Sequence, residues 1–423
     1  MSTPVLTEDC ILEILDYLRN DRSTLHKCLF VNRLFCKTII PILYKKPFRN
    51  VKDHLHYYLL INTFLACLNE GERTFLIQNN IKVEKESSST LFEYGMYLEG
   101  LPYSNLNVNL DFWFLYQFYD MNKNQKYIQN KDYNKFYCDI HDDVRYKIVR
   151  NTLFHSFLRQ FKFINPKNLK IRNNIFDTHL YNSQFFKEII SSLKILSALH
   201  IYIDYQMKDI VNEFLNLLSE NCFNLNEFKV SATINIEHDS SKLSCLLSTL
   251  IKQQTNLKNF YLRINNQNNE VKNVFELLQP HRNTLTTLKL DSCHFDESSI
   301  DLLTRFDSLE SLYLFCCDGI DLNLCKMISN STIKLKKLKL RNNYWEPNIT
   351  AALISAIGNS LTILVHQEVS FPLNINDEVY KSVISSCKNL DKFEAWIANL
   401  IIFDYLKDIK CKHLFLHLVD SEA

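Results

Sequence analysis

The sequence predicts a mixed α/β chain in three parts. Residues 1–48 form a three-helix module, residues 49–160 a mainly helical connector and cap, and residues 161–423 a solenoid with parallel strands on its concave face and helices on its convex face. Three observations carry this. Apolar residues recur at helical spacing through the first fifty positions. From Leu257 onward a pattern L-x-x-L-x-L-x-x-N/C-x-L returns at a near-constant interval. Helical apolar patterns fill the gaps between its copies.

The bulk composition narrows the function before any motif is read. The 423 residues are too many for one small core. Lys+Arg number 48 against 47 Asp+Glu, a net charge of +1, so no global field draws the chain to nucleic acid or to an anionic membrane. Glycine occurs five times, never with GxGxxG or GxxxxGK spacing, which excludes the common phosphate-cradling loops. The 13 cysteines include no CxxC pair, which argues against a ribbon or RING-type zinc site. No basic stretch followed by an apolar one marks a signal peptide, and Leu55–Cys67 is too short to span a bilayer. The expected setting is cytoplasmic and/or nuclear, with reduced thiols. No GxSxG, HExxH or kinase signature is present, so no catalytic residue, metal or cofactor is expected.

In the first module, Ile11, Leu12, Leu15 and Leu18 recur at helical spacing, with Ile14 widening the stripe. Thr7 suits an N-cap and Glu8 and Asp9 the first turn. Asn20-Asp21-Arg22 breaks the pattern and Ser23 is the expected cap of a second helix carrying Leu25, Leu29 and Val31. Leu34, Phe35, Ile39 and Ile40 make a third, punctuated by Pro41. So small a core would gain from a partner's surface. This segment resembles an F-box. Leu6-Thr7 stands where that family has Leu-Pro; Val31, Arg33 and Phe35 match its Val-x-Lys/Arg-x-Trp centre; Pro41 and Tyr44 match its final Pro-x-x-Trp. The stretch from Ser23 to Leu34 is similar to a large family of fungal F-box proteins. The resemblance implies docking on a Skp-type adaptor, and through it on cullin and a RING subunit. Leu6, Ile11, Leu12, Leu15, Leu18, Leu25, Leu29, Val31 and Phe35 are the residues it assigns to that contact.

In the connector, Lys82–Thr90 is charged and Ser-rich and Met121–Tyr137 is polar, so both are expected as loops. Leu110–Tyr119 is strongly aromatic and expected to be buried. Val144, Ile148, Leu153, Phe157 and Phe161 predict an amphipathic helix that caps the solenoid.

Four copies of the repeat pattern are strong: Leu257-Phe260-Leu262-Asn265, Leu285-Leu288-Leu290-Cys293, Leu309-Leu312-Leu314-Cys317 and Leu335-Leu338-Leu340-Asn343. The second and fourth run on to Phe295 and Trp345. Weaker copies start at Leu196, Leu225, Leu361, Leu390 and Cys411, with a degraded one at Pro166. Between them Ile210-Phe214-Leu217-Leu218, Leu243-Leu246-Leu247-Leu250, Leu353-Ile354-Ile357 and Val379-Val383-Ile384 read as helices. The array resembles the leucine-rich repeats found downstream of F-boxes. Cys293 and Cys317 stand at its N/C position, where a buried side chain is expected to satisfy the turn's backbone; a reactive thiol is the other reading. At the far end, Leu414-Leu416-Leu418 predicts a last strand with an exposed edge.

Side chains alternate faces along each strand. One outward column therefore reads His200, Lys229, Tyr261, Lys289, Tyr313, Lys339, Val365, Glu394, Phe415, and the next Tyr202, Ser231, Arg263, Asp291, Phe315, Arg341, Gln367, Trp396, His417. Tyr261, Arg263, Lys289, Tyr313, Phe315, Lys339, Arg341 and Trp396 are the expected substrate-binding residues, with an acidic or phosphorylated protein segment gripped by the cations; a merely solvated strand face is the alternative. The expected function is that of a substrate-recognition subunit of a Skp–cullin–F-box ubiquitin ligase, not itself an enzyme. A scaffold outside any ligase and an enzyme with a non-standard active site are the alternatives.

Overall fold

A computed structural model describes residues 7–48, 54–83, 90–98, 103–118, 140–141, 143–160, 168–172, 190, 193–205, 209–234, 247–264, 271–367, 377–397 and 403–418. The fold is mixed α/β. Two compact units divide the chain at Leu196/Ser197, so the expected boundary at 160/161 falls inside the first. Leu6, Phe161, Leu243, Leu246, Asn265 and the segment Met121–Tyr137 lie outside the described residues.

The first unit opens with α1 (Glu8–Tyr17), α2 (Arg22–Cys28) and α3 (Arg33–Tyr44). Each start is capped by a side-chain oxygen taking an orphan amide, the usual remedy for a helix's first turn. Thr7 Oγ1 accepts from Cys10 N at 3.4 Å, Asp21 Oδ1 from Thr24 N at 3.1 Å and Asn32 Oδ1 from Phe35 N at 2.9 Å. The second cap is thus Asp21, not Ser23: the helix begins two residues earlier than expected because the carboxylate also takes the Thr24 hydroxyl at 2.7 Å. Pro41 lies inside α3, which continues to Tyr44. Ile11, Leu15, Leu25, Ile39 and Leu43 form the core of the three helices, with Leu18, Leu29, Leu34 and Phe35 packed against it.

The connector follows as α4 (His54–Ala66), α5 (Glu70–Gln78), α6 (Tyr103–Phe118) and α7 (Val144–Gln160), with a short strand β1 (Asn168–Arg172). Stacking of Phe48 on Phe64 at 5.4 Å and the edge contact of Tyr44 with Phe64 at 6.0 Å tie α3 to α4, so the first three helices do not stand apart from the connector. Leu110, Trp113, Phe114 and Leu115 of α6 are buried, as their composition implies. The amphipathic reading of α7 is corrected. Its buried residues run almost without interruption from Val149 to Leu158 and include Arg150, Asn151, Thr152, His155 and Ser156, so it is enclosed on all sides. The polar groups this encloses need partners. Glu72, at the third position of α5, accepts from His155 Nδ1 at 2.7 Å and from Arg159 at 3.1 Å, and closes a capping box with Asn69.

The second unit is a parallel sheet whose strands follow sequence order: β2 (Ala198–Tyr205), β3 (Glu227–Ile234), β4 (Asn259–Ile264), β5 (Thr287–Asp291), β6 (Ser311–Phe315), β7 (Lys337–Arg341), β8 (Ile363–Gln367), β9 (Lys392–Ile397) and β10 (His413–Leu418). Helices lie between the strands, among them Asp209–Asn221, Val271–Leu278, Glu297–Leu303, Leu322–Ser329, Pro347–Ile357 and Asp377–Ser386, and from Val271 to Ser386 successive helices pack on one another. This order is compatible with a solenoid.

The unit-to-unit step is set by backbone geometry as much as by leucines. At strand entry one carbonyl takes two consecutive amides of the next strand: Lys258 O accepts from Thr286 N and Thr287 N at 2.9 Å, Thr286 O from Glu310 N and Ser311 N at 3.0 Å, and Lys336 O from Thr362 N at 2.8 Å and Ile363 N at 3.0 Å. At strand exit Ser292, Cys316 and Asn342 share a left-handed backbone, with φ of 60°, 50° and 50°. Their amides donate to Phe315 O, Arg341 O and Gln367 O of the following strand. The next residue in each case is buried. Asn343 Oδ1 accepts from Cys317 N at 3.0 Å and Asn343 Nδ2 donates to Leu314 O at 3.2 Å, while the Cys317 thiol donates to Phe315 O at 3.3 Å. The Cys293 thiol donates to Asp291 O at 3.5 Å. These are the backbone-satisfying roles expected of the N/C positions. The hydrogen bond to Cys317, together with burial, pushes the Cys293 thiol well up, away from the reactive thiolate.

Candidate protein-interaction faces

The open face of the sheet is built by strand alternation. In β5 and β6 every second side chain is buried among the helices and the others reach outward. The register lines up His200, Lys229, Tyr261, Lys289, Tyr313, Lys339 and Val365 on adjacent strands, and beside them Tyr202, Ser231, Arg263, Asp291, Phe315, Arg341 and Gln367. The register reproduces both columns to β8, carries the first on through Glu394 to Phe415 and pairs Trp396 with His417; Val365, expected to point outward, is buried.

A groove of about 510 Å³ runs along this face from β2 to β7, lined by His200, Glu227, Lys229, Asn259, Phe260, Tyr261, Thr287, Lys289, Tyr313, Phe315 and Lys339. Five expected residues meet there: Tyr261, Lys289, Tyr313, Phe315 and Lys339. Lys229 belongs with them and was legible only as a column member. It extends its ammonium over the Tyr261 ring at 4.3 Å, Lys289 over Tyr313 at 4.8 Å and Lys339 over Phe315 at 5.8 Å. Each ring face attracts the charge and fixes a long, otherwise rotamer-rich side chain.

The remaining expected residues stand differently. Arg263, about half exposed and outside the groove, pairs its Nε with Asp291 Oδ2 at 3.6 Å. That carboxylate also accepts from Tyr261 Oη at 3.1 Å; burial and the Asp291 charge together raise the Tyr261 phenol far above its ordinary value and keep it neutral. Arg341 is exposed on the outer end of β7, outside the groove. Trp396 stacks on His417 at 4.3 Å on β9 and β10, beyond the groove. There Glu394 is held below the usual carboxylate range, chiefly by the hydrogen bond from Lys392, with His417 adding to it.

The second face is on the first three helices. Here the residues assigned to docking separate by burial. Ile11, Leu15 and Leu25 are buried in the module's own core and so offer no docking surface as assigned, whereas Leu18, Leu29 and Phe35 pack against that core while remaining partly exposed. Leu12 and Val31 are exposed. Three neighbours not assigned join them: Ile14, Tyr17 at 86% exposure and Phe30 at 88%. The helical repeat explains the split. Positions 11, 15 and 18 share one stripe of α1, and 12, 14 and 17 fall to either side of it.

Among the described residues no helix is long and apolar enough to cross a membrane, and no group of three or more His, Cys, Asp or Glu is placed to hold a metal ion. No family model matches the sequence, and no curated protein matches it.

Proposed function

We propose that the chain is the substrate-recognition subunit of a Skp–cullin–F-box ubiquitin ligase. The observation that carries this reading is the exposed apolar set Leu12, Ile14, Tyr17, Phe30 and Val31 on a helical module whose own core is already complete. Five large apolar side chains left in water within twenty residues support a protein contact there. The segment that carries them also resembles an F-box, whose helices pack on a Skp-type adaptor. The leucine-rich-repeat reading of the second unit is supported by the recurrent strand-entry and strand-exit geometry, and the groove on its open face is the proposed seat of a protein target. Ubiquitin transfer would be performed by other subunits. This chain holds the target near them, which makes the reaction effectively intramolecular.

The test is affinity purification of the intact chain against the double variant Leu12→Asp/Phe30→Asp, with mass spectrometry of what co-elutes. Both side chains are exposed, so the variant keeps its fold; Leu15→Asp, by contrast, would place a charge in the core and report on folding. Adaptor and cullin are expected with the intact chain and absent with the variant. Adaptor without cullin would point to a scaffold outside any ligase, and neither with the intact chain would overturn the docking reading.

A further inference from the structure

The groove carries a periodicity that defines a ligand. Along the first outward column the residues alternate Lys229, Tyr261, Lys289, Tyr313, Lys339 on five consecutive strands. Cations therefore recur on every second strand and aromatic rings on the strands between. Adjacent strands lie roughly 4.8 Å apart, so successive lysines are roughly 9.6 Å apart along the line that crosses the strands. A polyproline II chain advances about 3.1 Å per residue with three residues per turn, about 9.3 Å per turn, and shows residues i, i+3 and i+6 on one side. An extended β-chain covers a similar length in three residues, but its side chains alternate and would send the second of each pair away from the sheet.

We propose that this groove binds an acidic polyproline II segment laid across the strands, with carboxylates at every third position facing Lys229, Lys289 and Lys339. As Lys229 and Lys289 turn from the Tyr261 and Tyr313 rings to the carboxylates, the intervening residues lie against those rings, whose flat faces suit proline. The charge assignment follows from which cations are present. The groove is served by lysine ammoniums, compact charges that match a carboxylate singly; the guanidiniums suited to forked phosphate contacts, Arg263 and Arg341, lie outside it, the first already paired with Asp291. Glu227 in the groove wall, paired with His200 at 2.6 Å, opposes a dianion more strongly than a single carboxylate. This inference rests on reading the open face as the target-binding face, and is independent of how the first three helices dock.

The experiment is fluorescence-anisotropy titration of the purified full chain with a labelled peptide of Glu-Pro-Ala repeated three times. That peptide is compared with an isomer that has the three glutamates contiguous and with an analogue that carries phosphoserine at the glutamate positions. The repeated peptide is expected to bind on the order of tenfold more tightly than the contiguous isomer, since two of three charge contacts lose their register. Affinity should fall with salt. Lys289→Met, which keeps the stem over the ring, should weaken binding severalfold with an unchanged melting curve, and Lys392→Met should not. Equal affinity for the spacing isomers, or no binding at all, overturns the proposal. Binding of the phosphorylated peptide alone overturns the carboxylate assignment. Retained adaptor co-elution alongside failed peptide binding would sink this inference and leave the docking reading standing.

Discussion

At the scale of single residues, the positions that define the repeats are those that satisfy backbone groups. Asn343 is the clearest case. Its amide fills one donor and one acceptor left by the turn after β6, and it is buried where no water competes. Asn343→Ala strands both Cys317 N–H and Leu314 C=O, a cost of about 1–3 kcal/mol per unsatisfied group. Chemical denaturation should show the loss as a lower midpoint with an unchanged slope. The pattern made this residue visible, because only Asn and Cys recur at that point. It did not make visible Ser292, Cys316 and Asn342, whose left-handed backbone actually turns the chain; no common side-chain chemistry marks them. Burial at single positions was legible less completely. The apolar stripe of α1 contained both core and exposed residues, and one sequence cannot tell the two edges of a stripe from its centre when all are Leu or Ile. Ile11 and Leu15, assigned to the docking contact, are buried, while Ile14 and Phe30, outside that assignment, are exposed.

At the scale of elements, the connector differs in kind from the repeats. Its helices are held by enclosed polar contacts as well as by apolar packing, and the contact between α5 and α7 turns on Glu72. Burial alone would raise that carboxyl, but hydrogen bonds and charge from His155 and Arg159 outweigh it and hold it below the ordinary carboxylate range. A depressed carboxylate contributes stability in full above its unfolded value and loses it as the pH falls through the folded one. Glu72→Gln should therefore lower stability at neutral pH by about 3 kcal/mol, the cost of leaving a buried partner charge uncompensated. The deficit should shrink as the pH is taken toward 3, so thermal melts of variant and parent converge in acid. A constant gap at all pH values would show that Glu72 acts by shape alone. Nothing in the local pattern marks the Glu72–His155 contact, because its members lie 83 residues apart and a His and an Arg on a helix already rich in polar residues read as part of its solvent side. The strands were far more legible. A parallel strand buried on one face must alternate, and a fixed interval between copies sets the register, so His200 through Val365 could be aligned without coordinates.

For the whole molecule, the proposed function assigns two surfaces separate tasks: exposed apolar groups on the first three helices would meet an adaptor, and a cation–aromatic groove on the sheet would seat a target. What sequence could supply was the existence of each surface; the individual side chains depended on packing partners distant in the chain. The proposed docking surface is the part that would decide the function, since a target-binding face alone is shared by many binding proteins. The most direct measurement is isothermal titration of a purified Skp-type adaptor into the purified full chain and into Leu12→Asp/Phe30→Asp, each shown folded by circular dichroism. The account predicts a single-site isotherm at micromolar affinity or tighter for the parent and none for the variant. A folded parent chain that gives no heat, or a variant that binds as the parent does, would contradict it.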